Sequence, residues 1–229
     1  MFGWAVGLGA MVGLWAAWRH TPPAQQEAFW EGAAWGAIGL VLGGRAAYVT
    51  AHWGAYAHHP VSALAFWEGG SAWPGAVAGY LLGVALAALR HGLPWRALSD
   101  ALLPYAAGLS LGAWLGCALK GCAYGPAMPH GWPLPDEAGR GAPRVPLQAL
   151  ALVGSSTLLW VVENLRTRRP PPGVPTGAAL LGGGMLMGGV SLLRADPVFR
   201  WGGVPADFWA AAGMVLLGTA LILWSRSER

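Results

Sequence analysis

Residues 112–125 read Gly-Ala-Trp-Leu-Gly-Cys-Ala-Leu-Lys-Gly-Cys-Ala-Tyr-Gly and hold both cysteines and the only lysine of the chain. The stretch leaves an apolar run and enters a loop, 123–144, rich in proline and glycine. A lysine at the edge of an apolar segment is costly unless its ammonium reaches water or an anion. The glycines at 112, 116, 121 and 125 let another backbone, or a lipid, approach closely. Arg45, Arg144 and Arg194 also stand where apolar runs end. Four cations from four parts of the chain at such positions suit an anionic group such as a lipid phosphate. Taken singly, each is equally well explained as a side chain snorkelling to a membrane interface.

The remaining chemistry-bearing residues have plainer readings. Cys117 and Cys122 are five apart, roughly 140° around a continuous helix. A bridge therefore needs the helix to break, with Gly121 as the place for it. The expectation is two reduced, small packing residues that can be replaced without loss of the fold. His130 is close in sequence, but no zinc spacing is present and no metal or cofactor is expected. His58-His59-Pro60 reads as an interfacial loop. Asp100 and Glu68 fall near expected helix starts, where a carboxylate complements the helix dipole. Gly182-Gly183-Gly184 with Gly188 and Gly189 is a packing face, since no Lys-Ser/Thr follows to make a phosphate loop.

The elements that must position these residues follow from composition. Of 229 residues, 55% are hydrophobic and 10% charged, against about 25% charged in soluble domains. Long apolar runs then define an all-α integral membrane protein, a single polytopic domain over residues 1–229. The 36 glycines suit close helix packing and the 15 tryptophans suit interfacial belts. The net charge of +4 is accounted for by topology, and no nucleic-acid partner is expected. About seven spans are predicted, at 2–18, 29–49, 73–89, 98–119, 146–162, 174–193 and 206–224. The first lacks a basic leader and reads as a retained helix. A piece around 66–70 reads as re-entrant or interfacial. Arg19, Arg90, Arg96, Arg166, Arg168, Arg169, Arg226 and Arg229 fall on one side, which the positive-inside rule makes cytoplasmic. The N-terminus is then outside, the C-terminus cytoplasmic, and Arg45, Lys120, Arg144 and Arg194 lie near the outer face.

The order and spacing of several short motifs resemble the prolipoprotein diacylglyceryl transferases of the bacterial inner membrane. They are Gly43-Gly44-Arg45 with Tyr48, Glu68-Gly69-Gly70, Asp100 with Pro104, and Leu115-Gly116 with Gly121, Tyr124 and Gly125. Pro143-Arg144, Pro146, Gln148, Gly177 and Arg194 continue the pattern. The resemblance implies seven spans with the N-terminus outside, and transfer of diacylglyceryl from phosphatidylglycerol to a lipoprotein cysteine. It implies phosphatidylglycerol as the anionic lipid partner, and a preprolipoprotein or a membrane protein complex as a further one. The chain also departs from the family. Pro74-Gly75-Ala76 stands for His-Gly-Gly, and Trp114 for the signature arginine. Cys117, Lys120 and Cys122 stand for Asn, Asn and Glu. Val145 stands for a histidine, and Met187 and Ser191 for an arginine and a glutamate. On this reading Lys120 and Arg144 act in catalysis, and Arg45, Lys120, Arg144 and Arg194 hold the phospholipid. Two other readings remain open: a non-catalytic lipid- or lipoprotein-binding accessory subunit on the same fold, and a transporter or channel. The last lacks its usual sign, an ionisable residue near the bilayer midplane.

Overall fold

The computed structural model describes residues 2–66, 69–136 and 138–228; Glu68, and with it one expected helix-start carboxylate, lies outside them. The chain begins with α1 (Phe2–Trp18), a 3₁₀ turn (Pro23–Gln25), α2 (Gln26–Ala51), α3 (Trp53–Tyr56) and a second 3₁₀ turn (Pro60–Leu64). It continues through α4 (Trp73–Arg90), α5 (Trp95–Ala101) and α6 (Leu103–Lys120) to the strands β1 (Pro133–Pro135) and β2 (Gly141–Pro143). Then come α7 (Leu147–Thr167), α8 (Val174–Leu193), β3 (Arg200–Trp201), β4 (Val204–Pro205) and α9 (Ala206–Ser227). Both strand pairs are antiparallel hairpins, Leu134 facing Ala142 in one and Trp201 facing Val204 in the other.

Among the described residues, seven helices of 17 or more residues occupy the seven apolar runs. Three of them, α4, α8 and α9, are long and apolar enough to cross a membrane, or four spans if α5 and α6 count as one broken span. The break corrects the predicted start at residue 98. Pro104 has no N–H for the Asp100 carbonyl, so the chain interrupts the helix at Leu102 and restarts at Leu103. Asp100 therefore sits in the last turn of α5, not at a helix start.

The chain packs as two compact units, 21–102 and a second made of 1–20 with 103–229. In the first, α2 lies on α4 through glycine. The Gly39 and Gly79 backbones approach so closely that a methyl at either would overlap the other's carbonyl. Such contacts suit helices in lipid, where close van der Waals packing replaces hydrophobic driving force. Phe29, Val84 and Leu102 are fully buried there, and the Tyr80 hydroxyl donates to the Leu102 carbonyl at 3.2 Å. Glu31 ties the two helices together, accepting from Arg90 Nε at 2.6 Å and lying 2.6 Å from His91 Nε2.

In the second unit α1 packs on α6, α8 on α9, and α7 on both α6 and α8. The α8 glycines are the packing face expected of them, with Gly184 against Ala211 and Val215 of α9 and Gly182 against Leu158 of α7; Gly189 instead faces open space. Trp114, Ala123, Leu147, Ala151 and Val190 form a buried apolar cluster, with Leu152, Leu186 and Met187 packed on it.

Candidate functional site: a cationic end of the larger unit

One end of the larger unit gathers the end of α6, the start of α7, the end of α8 and the start of α9. Three contacts draw them together. The Gln148 side-chain amide donates to the Cys122 carbonyl at 2.8 Å. The Ala195 N–H donates to the Tyr124 carbonyl at 2.9 Å. Arg194 Nη1 donates to Asp207 at 2.7 Å. Lys120, Arg144 and Arg194 all belong to this end.

The expectation that Cys117 and Cys122 are reduced is overturned: the two form a disulfide, with Cα atoms 4.8 Å apart. The helical angle that opposed a bridge applies only while the helix continues. Here α6 stops at Lys120, and Gly121 takes φ +74°, which glycine alone adopts without strain. The N–H groups of Gly121 and Cys122 both donate to the Cys117 carbonyl, at 2.8 and 3.2 Å. That closes the helix end and turns Cys122 back over Cys117. Gly121 also lies against the Asp136 main chain too closely for any side chain to fit.

Asp136 organises the loop that follows. It is 3% exposed and accepts from the Ala138 and Arg140 N–H groups at 3.0 and 2.9 Å and from Arg140 Nε at 3.0 Å. The Arg140 main-chain bond, with help from its guanidinium and the Ala138 N–H, holds the Asp136 carboxyl below its ordinary range despite burial. The sign follows directly. The ionised form is favoured by folding, so its contribution is present above about pH 4 and is lost as pH falls through the lowered folded value. Hydrogen-exchange protection of the Arg140 amide, corrected for intrinsic rates, is expected to hold from neutral pH into mild acid and then collapse. In Asp136→Asn the acid step should vanish; the same step persisting would assign it to another group.

Arg144 packs over Tyr124, its Cζ 4.5 Å from the ring centroid, an arrangement that favours a cation. Its Nη2 lies 3.5 Å from Asp136, at the long limit of a hydrogen bond. Its Nε is buried and meets no acceptor among the described residues. Backbone pairing of Ala127 with Arg144 and the Val145 N–H to Pro126 carbonyl bond fix its main chain. A buried charged donor without an acceptor is costly in a folded chain, and Arg144 Nε is such a donor among the described residues. Lys120, the last residue of α6, is exposed beside the disulfide.

Arg194 is differently placed. Its Nε donates to Asp196 at 2.7 Å, Nη2 donates to the other Asp196 oxygen, and Nη1 reaches Asp207. Burial opposes its charge, but these two carboxylates outweigh burial and raise its pKa further. Arg45 belongs to the smaller unit and is 5% exposed. Its Nε donates to the Ala63 carbonyl and Nη2 to that of Ser62, both at 2.8 Å. Its Nη1 donates to the Gly69 carbonyl and, at 3.1 Å, to that of Gly70. Its guanidinium thus clamps the carbonyls of Ser62, Ala63, Gly69 and Gly70 together. His58 and His59 lie exposed near that loop. Sequence reasoning passed over Asp136 and Arg140 as a pair, although Pro-Asp-x-Ala-Gly-Arg is a turn sequence with an ion pair at i, i+4. It also passed over Asp207, the more distant partner of Arg194.

Apolar helices packed through glycine, with a cationic loop cluster at one helix end, define the class as a helical membrane protein. The family model described as prolipoprotein diacylglyceryl transferase matches residues 1–224, and the chain belongs to that family. Relatives include the phosphatidylglycerol–prolipoprotein diacylglyceryl transferase of Methylibium petroleiphilum, 31% identical over 83% of this chain and 75% of the relative. Proteins of the same name from Cupriavidus necator (30% identical, 83% and 72% covered) and Ralstonia pickettii (28%, 83% and 75%) are similar to it as well.

Proposed function

We propose that the chain transfers diacylglyceryl from phosphatidylglycerol to the cysteine thiol of a lipoprotein precursor in the bacterial inner membrane. The sulfur forms a bond to the glyceryl carbon, the carbon–oxygen bond to phosphate breaks, glycerol phosphate leaves, and the thiol proton passes to solvent. The observation that carries this reading is Arg144, a buried guanidinium with an uncommitted Nε at the cationic end. A cation held there in advance stabilises the charge that grows on the departing phosphate, at a cost already met in folding. Lys120, exposed at the end of α6, is assigned to the same phosphate. Arg194 and Arg45 are assigned to shaping, since carboxylates occupy the first and carbonyls the second. Seven spans with the N-terminus outside complete the proposal and put this end of the larger unit on the outer face.

One observation favours the accessory reading. Trp114, where the family resemblance places an arginine, belongs to the buried apolar cluster, and Met187, where it places another, packs on it; the Ser191 hydroxyl is buried without a partner among the described residues. On that reading the chain holds lipid or lipoprotein without transfer. Expression in a host depleted of its own transferase separates the two. Restored lipoprotein lipidation supports the enzyme, and lipid-loaded but inactive protein supports the accessory subunit.

A further inference from the structure

The Cys117–Cys122 disulfide lies where the phosphate-facing loop is anchored, and nothing in transfer chemistry requires it. The bridge pins Gly121, whose backbone is pressed on Asp136. Asp136 in turn contacts Arg144 and Arg140. The Cys122 carbonyl receives Gln148 of α7. Two residues further on, Tyr124 carries Arg144 on its ring and Ala195 on its carbonyl. Both cysteines are only half-buried, within reach of an attacking thiolate, and Lys120 next to them favours the thiolate that would leave.

We propose that this disulfide is a thiol–disulfide exchange site, opened by a dithiol, and that opening releases the loop that holds Arg144. One thiolate of the dithiol attacks a bridge sulfur, giving a mixed disulfide and a free cysteine thiolate that takes up a proton. The second thiolate of the dithiol then displaces the other cysteine, so two electrons pass to the protein and the dithiol leaves as its own disulfide. The chain beyond α6 loses its covalent tie, and the contacts of Gly121, Cys122 and Tyr124 are left to hold the loop unaided. The lipid consequence rests on the function proposed above; the loop release does not.

The test uses the full chain in detergent, oxidised or treated with dithiothreitol, with thiols counted by maleimide mass shift and helix content followed by circular dichroism. Trypsin cleavage after Arg144 reads the loop. Cleavage is expected to rise about tenfold on reduction, because it follows the open population. Cys117→Ala/Cys122→Ala should cleave at the reduced rate whether or not dithiol is present. Binding of phosphatidylglycerol vesicles should weaken in parallel. Unchanged cleavage with two thiols counted overturns the proposal, as does a bridge that excess dithiol fails to open. Faster cleavage without vesicle binding in either state leaves the switch standing and removes the lipid function.

Discussion

Arg144→Ala is expected to lower diacylglyceryl transfer by about 10²–10³-fold while leaving the helices intact. The effect is large because the guanidinium acts inside a partly buried site, where a charge interacts at low effective dielectric. Its side chain is 15% exposed, it stacks on Tyr124, and its Nε meets no acceptor among the described residues. Arg144→Lys should recover part of the rate, since it keeps the charge but loses the planar fork. Lys120→Ala should have the smaller effect of the two because the ammonium is exposed. His58→Ala and His59→Ala, both at exposed loop positions, should leave transfer unchanged. Rates in purified protein, alongside circular dichroism, check all of these. Full activity in Arg144→Ala would move the phosphate site elsewhere.

Arg194→Ala is expected to act on stability. It removes the cation from between Asp196, whose side chain is 3% exposed, and Asp207. Breaking a buried pair by deleting one partner typically costs about 3–5 kcal/mol, because the remaining charge has no counterpart. The two carboxylates would here be left facing each other, across the join between the end of α8 and the start of α9. The thermal midpoint in detergent should fall steeply, and adding Asp196→Asn to the variant should restore part of it. Arg194→Lys should fall in between, lacking the bidentate grip on Asp196. A midpoint close to that of the parent protein would mean that Arg194 is held for lipid and not for structure.

The helical runs were legible because lipid-facing helices are written as long apolar segments, and α1, α2, α4 and α6–α9 all lie on them. What the runs could not show was where the backbone gives way. Pro104 was in plain view, yet the break it makes at Leu102 depends on the chain choosing interruption over a kink. Gly121 was recognised as the one place that would let Cys117 meet Cys122, and weighing the continuous helix more heavily led to the wrong chemical state for both. The cations illustrate a different limit. Their positions at the ends of apolar runs were readable, but their distant partners were not. The carbonyls around Arg45 come from 17 to 25 residues further along the chain, and Asp207 is 13 residues from Arg194. Four side chains of one apparent type therefore divide into a loop clamp, an ion-paired strut, an exposed ammonium and a guanidinium whose buried Nε meets no acceptor among the described residues. Only tertiary placement distinguishes them.

The most direct test of the account is a single-turnover assay of the purified, oxidised protein with phosphatidylglycerol and a peptide carrying the acceptor cysteine, read by mass spectrometry. The expected product is a peptide bearing one diacylglyceryl group as a thioether on its cysteine, with one glycerol phosphate released for each. Unmodified peptide, recovered from protein that still binds phosphatidylglycerol, would contradict it.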